Sequence, residues 1–284
     1  GNGGGSLITG VYPVTTNTTL TADNLNKLIQ LRGGSNALTL TLPSLADIPE
    51  NTIIPIESLI NNTKQHKIQT QGGQYIYGGN TSSDHLFIGK SEYIHLMAGS
   101  DGWYPIAFNG NFFSLGHPFD GYKAGLNEIE LDGSLVNRAD HPRLWEWAQT
   151  LDSSTVSDTT WSTASLTLSG RTILKPYRGC FSTGNGTTTF RLPDYRGVST
   201  RTLNSGGDSE RTHNIPGNFQ DDMYRQANLT IIARANDQEG SGYLVGGGNN
   251  GGNPLNNDGQ FVVSNGGGFE TRSANIGLKK FHKI

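Results

Sequence analysis

The chain has 284 residues, and its 21 basic and 24 acidic side chains give a formal net charge of −3. This balance provides no basic patch for nucleic acid, and no apolar run approaches the roughly 20 residues that cross a bilayer, so we expect neither nucleic-acid binding nor membrane insertion. Only 16% of the residues are charged and 39 are glycine, which favours a mainly β protein rich in turns.

The N-terminal part is expected to form a separate β module. Residues 1–6 have the composition of a linker or a remnant of expression cloning, and the module is placed at residues 7–110. Leu38, Leu40 and Leu42 alternate with threonines, which predicts a strand with one buried and one solvated face. Comparable runs separated by Gly, Asn and Ser turns occupy residues 53–56, 68–71, 75–77, 86–88 and 93–97. Short strands at regular spacing predict a β-sandwich or a barrel.

One short helix is expected near the start of this module. Thr21 is a favourable N-cap residue, and Leu25, Leu28 and Ile29 follow at helical spacing. The pattern therefore predicts a helix that begins after Thr21 and packs its apolar side on the strands.

Residues 126–149 combine a strand, a tight turn and an amphipathic helix. Asp132 and Gly133 supply the turn, while Asp140 is placed to cap a helix that has Pro142 in its first turn. The helix is predicted from the spacing of Leu144, Trp147, Ala148 and Leu151. Because Trp145 and Trp147 are two positions apart, we expect one to face the core and the other to face a neighbouring domain or chain.

A strand followed by a rigid turn is predicted at residues 184–197, GNGTTTFRLPDYRG. Thr187 to Arg191 is a β-branched and aromatic run that Pro193 ends, and Asp194 and Gly197 are turn residues. In isolation this pattern is typical of an ordinary surface hairpin. An arginine fork beside a turn aspartate can also tie a loop to its neighbour through paired hydrogen bonds. The predicted structural and trimer-locking residues are Arg191, Asp194, Arg196, Arg201 and Trp147.

Several segments in order resemble the phage tail-collar family. They are IELDGSL, HPRLWEW, GNGTTTFRLPDYRGVSTR, GNFQDDMYR and ETRSANIGLKKFHKI, and the resemblance covers about residues 118–284. It implies a trimeric fibre whose C-terminal end contacts the host surface. The chain departs from the family pattern before Ile129, where the usual tryptophan is absent, and in a Ser/Thr-rich segment at 150–172 that is expected to be a family-specific loop.

The resemblance divides the rest of the chain into two parts. Residues 111–203 are expected to form a small α+β tail-collar domain with one short helix, and residues 204–284 a glycine-rich β receptor-binding tip. The assembly is expected to be an intertwined homotrimer, in which shared burial compensates for sparse large apolar residues. Some relatives hold an axial metal on His-x-His pairs, which are absent here. A threefold-repeated His213 or His282 is the alternative, but lone histidines are more often surface or hydrogen-bonded residues, so we expect no metal and no other cofactor.

The glycine- and asparagine-rich stretch at 246–259 has two interpretations. It is either a plain surface excursion or a recognition loop displayed at the fibre tip. Its amide side chains suit sugar hydroxyls or a protein receptor. The candidate receptor-binding residues are Tyr243, Asn249, Asn250, Asn253, Asn256 and Asn257.

Enzymatic cleavage of a surface polysaccharide is the main alternative activity, because such enzymes use paired carboxylates. Asp221 and Asp222 lie on a segment for which the family resemblance implies a structural role, and the sequence contains no nucleophile motif. We therefore assign no catalytic residue and expect no enzyme. The other candidate acids are Asp208, Glu210, Asp237 and Glu239.

Together these features predict a bacteriophage tail fibre or spike that is part of the virion and acts at the outside of the host bacterium. Its expected partners are further copies of itself, other tail or baseplate proteins, and a host surface receptor, which is a glycan, a pilus or an outer-membrane protein. Attachment would be multivalent, because three weak sites raise residence without high affinity at any one of them. A polysaccharide-degrading fibre (depolymerase) and a structural spacer or adaptor are the rival functions.

Overall fold

A computed structural model describes residues 8–78, 81–112, 115, 117–168, 171–200, 216–219 and 278–284. All of them belong to one compact unit. Their secondary structure is mainly β, as the composition predicted, and in these ranges no helix is long and apolar enough to span a membrane. The predicted domain boundaries at residues 110 and 203 stay predictions.

The N-terminal part contains eleven described strands. In chain order they are β1 (Gly10–Val14), β2 (Thr18–Thr19), β3 (Lys27–Leu31), β4 (Thr39–Thr41), β5 (Ile53–Ser58), β6 (His66–Gln69), β7 (Tyr75–Gly78), β8 (Thr81–Ser83), β9 (His85–Ile88), β10 (Tyr93–Ala98) and β11 (Gly102–Asn109). Two short 3₁₀ helices, Ala22–Asn24 and Leu45–Asp47, lie between them.

The strands form two sheets, and the first six strands alternate between them along the chain. Strands β1, β3 and β5 pair in parallel in a sheet of order β1-β3-β5-β10-β11-β7-β8, and β2, β4 and β6 pair in parallel in a sheet of order β2-β4-β6-β9. The strand in the opposite sheet thus serves as the crossover that parallel neighbours require. Neither sheet closes on itself within the described ranges, and the choice between a β-sandwich and a barrel stays a prediction.

The inner faces of both sheets contribute to one hydrophobic cluster, which we call the first core. Parallel pairing stacks like residues on one another, with Leu40 beside Ile68 and Ile29 beside Ile56. The alternation predicted for Leu38, Leu40 and Leu42 is confirmed, because all three are buried.

The helix predicted after Thr21 is shorter than expected. It is the 3₁₀ turn Ala22–Asn24, in which the Asn24 side chain accepts a hydrogen bond from the Thr21 N–H at 2.9 Å. Asn26 has a φ of 61°, a left-handed conformation that a helix cannot continue through. Leu28 and Ile29 therefore lie in strand β3, where period-two burial outweighs their helical spacing.

The second part contains two short α-helices and nine strands among its described residues. They are β12 (Phe119–Gly121), β13 (Glu128–Glu130), β14 (Leu135–Asn137), α1 (Pro142–Gln149), β15 (Thr155–Val156), α2 (Asp158–Thr163), β16 (Ser165–Leu168), β17 (Arg171–Leu174), β18 (Phe181–Ser182), β19 (Thr189–Arg191) and β20 (Lys279–Lys283), with a 3₁₀ helix at Asp152–Ser154. The sheets have the orders β12-β20-β13, β14-β19-β18-β15 and β16-β17. The segment at 150–172 that was predicted to be a family-specific loop contains α2, β16 and the start of β17.

Helix α1 covers a second core. This cluster is built from Leu144, Ala148, Phe181, Phe190 and Leu192. Both tryptophans of the helix pack against it, since Trp145 lies 5.3 Å from Phe190 and Trp147 lies 5.8 Å from Phe181 between ring centroids. The prediction that one of them faces away from this core was wrong, because indole rings on the two edges of the apolar stripe both reach it.

The start of α1 also differs from the prediction. His141, not Asp140, is the N-cap residue, and it makes no side-chain cap hydrogen bond. The Arg143 N–H in the first turn instead donates to Gln65 Oε1 at 3.1 Å. The side chain of Gln65, which directly precedes β6, thus satisfies a backbone N–H of the first turn in place of a local cap. Asp140 pairs with Lys64 instead.

Candidate functional site

All of the predicted receptor-binding residues, one predicted trimer residue, one of the two alternative metal residues and the candidate acids lie outside the described residues. They are Tyr243, Asn249, Asn250, Asn253, Asn256, Asn257, Arg201 and His213, together with the candidate acids Asp208, Glu210, Asp221, Asp222, Asp237 and Glu239. Within the described ranges, the candidate site residues lie in or beside two polar clusters that connect parts of the fold. One surrounds the predicted turn, and the other joins the two cores.

The turn at residues 184–197 is organised by an asparagine. Asn185 Oδ1 accepts hydrogen bonds from the N–H groups of Thr187, Thr188 and Thr189 at 3.1, 2.8 and 3.0 Å. These bonds keep the first two threonines out of the ladder, so β19 begins at Thr189 and not at Thr187 as predicted. After the strand, Asp194 forms an isolated β-bridge with Asp132. The two predicted turns therefore face each other.

Arg191 is the central side chain of this region. Its Nε and Nη2 donate to Asp158 Oδ1 and Oδ2 at 2.7 and 3.0 Å, and its Nη1 donates to the Gly133 carbonyl at 2.9 Å. The guanidinium also lies 4.7 Å from the centre of the Trp161 ring. The hydrogen bond from Arg191 lowers the pKa of Asp158 below its usual value, although partial burial opposes this. One arginine thus ties β19, α2 and the Gly133 turn together.

Asp194 carries a second, more exposed arginine fork. Arg196 donates to both carboxylate oxygens at 2.9 and 3.1 Å, and Arg178 approaches from the other side at 3.2 Å. Burial alone would raise the pKa of Asp194, but the hydrogen bonds from Arg196 and the charge of Arg178 bring it below its usual value. We call Gly133, Asp158, Arg191, Asp194 and Arg196 the turn cluster. All of these contacts are made within one chain, and the predicted part of these residues in a trimer stays a prediction.

A buried ion pair joins the two cores. Arg143 on α1 is 6% exposed and Glu92, which precedes β10, is 3% exposed. Arg143 Nη1 donates to Glu92 Oε1 at 3.1 Å, and Nη2 bonds Oε2 and the Phe87 carbonyl. We call Gln65, Glu92 and Arg143, which hold α1 against the first core, the junction. Its charge-assisted hydrogen bonds make a stiff connection.

The junction carboxylate is almost fully satisfied by neighbouring backbone. Glu92 also accepts hydrogen bonds from the N–H groups of Gly89 and Asn111 at 2.7 and 3.0 Å. Gly110, with a φ of 154°, is packed so closely that an added Cβ would lie 2.6 Å from Glu92 Cδ. Arg143 Nη1 further donates to the Ile284 carbonyl at 3.1 Å, which fixes the end of β20 to the same site.

Sequence reasoning missed both charged residues of the junction, Glu92 and Arg143. Arg143 stands one position before Leu144 and four before Trp147, at the edge of the apolar stripe of α1. An arginine at that edge can be recognised as buried only when the carboxylate that pairs with it is known. That partner is 51 positions away in sequence, and nothing local identifies Glu92 as its acceptor.

Trp147 and His282 pack against each other beside the second core. Their rings lie 4.9 Å apart, and His282 also meets Phe181 edge to face at 6.2 Å. Burial lowers the pKa of His282, and its imidazole lies beneath the aromatic side chains and away from solvent. This placement disfavours the alternative in which His282 holds an axial metal. In the part of the chain that the structure describes, no cluster of three or more His, Cys, Asp or Glu side chains is arranged to bind a metal ion.

The two arginines of the turn cluster should differ strongly in their effect on stability. Arg191→Ala should lower the free energy of unfolding by about 1–3 kcal/mol, because it leaves the partly buried Asp158 without its partner. Arg196→Ala should leave it nearly unchanged, since the Arg196 side chain is 64% exposed and its ion pair is screened by solvent. Urea unfolding of both variants measures the difference, and equal losses would contradict these roles. Because Arg196→Ala spares the fold, its solution mass then tests the predicted trimer contact, which an unchanged trimer would refute.

Comparisons with known proteins found a partial similarity. No known protein family matches it. Among curated proteins, the chain is similar to the "Probable tail fiber protein" of Escherichia phage Phieco32, with 43% identity over 77 residues. The similar segment covers 27% of this chain and 9% of that protein, so it spans under a tenth of the relative's length. This partial similarity links one segment of the chain to a phage tail-fibre protein. It does not show the tail-collar family.

Proposed function

We propose that this chain is part of a homotrimeric tail fibre or spike that attaches a phage to its host through multivalent binding of a surface receptor. The observation that carries the proposal is the partial similarity to a phage tail-fibre protein. Its expected partners are other copies of the chain, other tail or baseplate proteins, and a receptor that is a glycan, a pilus or an outer-membrane protein. The proposed tail-collar character of the second part has the motif order as its basis.

The described scaffold supports a recognition role for the segment between residues 220 and 277. On one side of the segment, the Phe219 N–H donates to the Pro176 carbonyl at 2.6 Å. On the other side, β20 pairs with both β12 and β13. The described residues on either side of the segment therefore belong to the same folded unit, and binding residues commonly lie on segments that join parts of a rigid scaffold.

We propose that binding needs no catalysis. Three copies of a weak site on one fibre can raise the overall affinity by about 10²–10⁴-fold over a single site, provided that all three engage at once. A structural spacer is the second candidate, and the buried Glu92 and Arg143 pair favours it, because a stiff junction between two cores suits a load-bearing connector.

Cell binding separates these functions. The purified chain is incubated with a panel of Escherichia strains, chosen because the similar tail fibre belongs to an Escherichia phage, and the bound fraction is measured by fluorescence. Alanine at Asn249, Asn250, Asn253 and Asn256 together is expected to reduce apparent affinity at least about 100-fold, because each weakened site is multiplied by avidity. Lys123→Ala, at an exposed position in the described part of the chain, is the matched control and should bind like the wild type.

Three outcomes would contradict the proposal. Full binding by the asparagine variant would remove the recognition role of that segment, and binding to no strain would favour the spacer. Release of new reducing or unsaturated ends from purified surface polysaccharide would show a depolymerase instead. Solution mass is measured on the same samples, and a monomer would refute the trimer.

A further inference from the structure

His85 lies between two carboxylates at the contact of β9 with helix α1. Its Nδ1 is 2.5 Å from Asp84 Oδ1, and its Nε2 is 3.0 Å from both Oε1 and Oε2 of Glu146. Neutral imidazole has one N–H donor, whereas the imidazolium ion has two. Only the protonated ring can therefore donate to both carboxylates at once.

The charges around His85 favour this protonated form. Asp84 and Glu146 face the ring, Lys67 on β6 is the nearby cation, and Gln69 on the same strand is the uncharged residue paired with His85. Arg143, the other charged residue of α1 near β9, is held by Glu92 and the Phe87 carbonyl. The hydrogen bond to Glu146 raises the pKa of His85, with a further contribution from Asp84, while burial and Lys67 act in the opposite direction.

Other contacts between α1 and the first core do not change charge near neutral pH. Lys64 pairs with Asp140 just before the helix, and Glu92 pairs with Arg143 within its first turn. Carboxylates, lysine and arginine keep their charges between about pH 5 and 8, whereas histidine does not. Of the described ion pairs at this contact, the one between His85 and Glu146 is thus the one that titrates in that range.

We propose that His85 is a pH-dependent latch that holds helix α1 on the edge strand β9 when its imidazole is protonated and releases Glu146 when it is neutral. A raised pKa in the folded protein means that the stabilisation is fully present below the unfolded value of about 6.5 and is lost as the pH rises through the folded value. The contact of the two cores is then tighter in mildly acidic solution than in alkaline solution. The latch stands independently of the proposed attachment role.

Three variants of the full chain test the latch. In Glu146→Gln, an NMR titration should show a lower His85 pKa than in the wild type. The melting-temperature difference between the wild type and His85→Gln should be largest near pH 5.5 and should shrink toward pH 8. Asp140→Asn is the matched control, because it breaks the neighbouring pair with Lys64, and its melting-temperature difference from the wild type should stay constant over the same range.

Amide exchange locates the effect on the helix. In the wild type, N–H groups of residues 146–149 should lose protection between pH 6 and 8 after correction for base-catalysed exchange, and in His85→Gln they should not. An unchanged His85 pKa in Glu146→Gln would overturn the proposal. A melting-temperature difference between the wild type and His85→Gln that does not vary with pH would also overturn it. Because the Glu146 side chain is half exposed, Glu146→Gln should fold, so the pKa of His85 can be measured in this variant.

Discussion

Replacing Arg143 by methionine is expected to lower the free energy of unfolding by about 3–5 kcal/mol, because Glu92 would be left as a buried, unpaired charge. Glu92 is 3% exposed and has no room to turn toward solvent, since Gly110 packs directly against its carboxylate. The variant also removes the hydrogen bonds to the Phe87 and Ile284 carbonyls, which hold β9 and the end of β20 at the same point. Urea unfolding followed by tryptophan fluorescence measures the loss.

Two further variants separate pairing from packing. Arg143→Met combined with Glu92→Met should recover a large part of the loss, since replacing a buried ion pair by apolar residues of similar size is often neutral. Lys64→Met, which breaks the partly exposed pair with Asp140, should cost at most about 1 kcal/mol and is the matched control. A loss below about 1 kcal/mol in the single variant would show that water reaches Glu92 and that the junction is not dry.

Acidification is expected to destabilise the first core through His66. The side chain is buried, its Nδ1 accepts a hydrogen bond from the Leu38 N–H at 3.1 Å, and Gly33 packs against the ring. Burial lowers the pKa of His66 from 6.5 to about 4. Because the folded pKa is below the unfolded one, the stabilisation is present above about pH 6.5 and is lost as the pH falls toward 4. At 1.36 kcal/mol per pKa unit, the loss is at most about 3 kcal/mol.

Unfolding free energies between pH 4 and 7 test this prediction. Asparagine has a side-chain oxygen that can replace Nδ1 as the acceptor, so His66→Asn should remove most of the acid-dependent loss while keeping the Leu38 contact. Burial also lowers the pKa values of His141 and His282, so a smaller loss in the same direction should persist. His85→Gln is the control with the opposite pH dependence. The pKa of His85 in the wild type is raised, so the stabilisation that this variant loses is the part that disappears as the pH rises. An undiminished acid loss in His66→Asn would refute the role of this residue.

Several structural features were predictable because their causes are local. The buried side of the Leu38 to Leu42 strand follows from a period of two, and the turn at Asp132 and Gly133 follows from residues that tolerate its backbone. The helix from Pro142 follows from apolar spacing and a proline at its first position. Each of these features depends on positions a few residues apart, so one stretch of sequence contains the whole signal.

The candidate sites were less accessible for a physical reason. The pattern of Arg191 and Asp194 indicated arginine forks, but the partner of Arg191 is Asp158, in a segment that was predicted to be a loop. Asp194 pairs with Arg196 as a turn residue would, and also with Arg178, sixteen positions earlier. The charge of an arginine such as Arg191 implies that a carboxylate partner exists, but only the fold decides which carboxylate lies close enough to pair with it.

The amino-acid sequence by itself determined that the chain is mainly β, which strand faces are buried, where the turns lie and where α1 begins to within a residue. The tertiary structure alone decided that β1, β3 and β5 run parallel, that Gln65 replaces a local cap on α1, and that Arg143 meets Glu92. Alternating hydrophobicity looks the same in parallel and antiparallel strands, because it reports which face of a strand is buried and not which strand lies beside it. Choice of neighbour depends on the packing of the whole chain, and the residues that join the two cores become recognisable only when that packing is known.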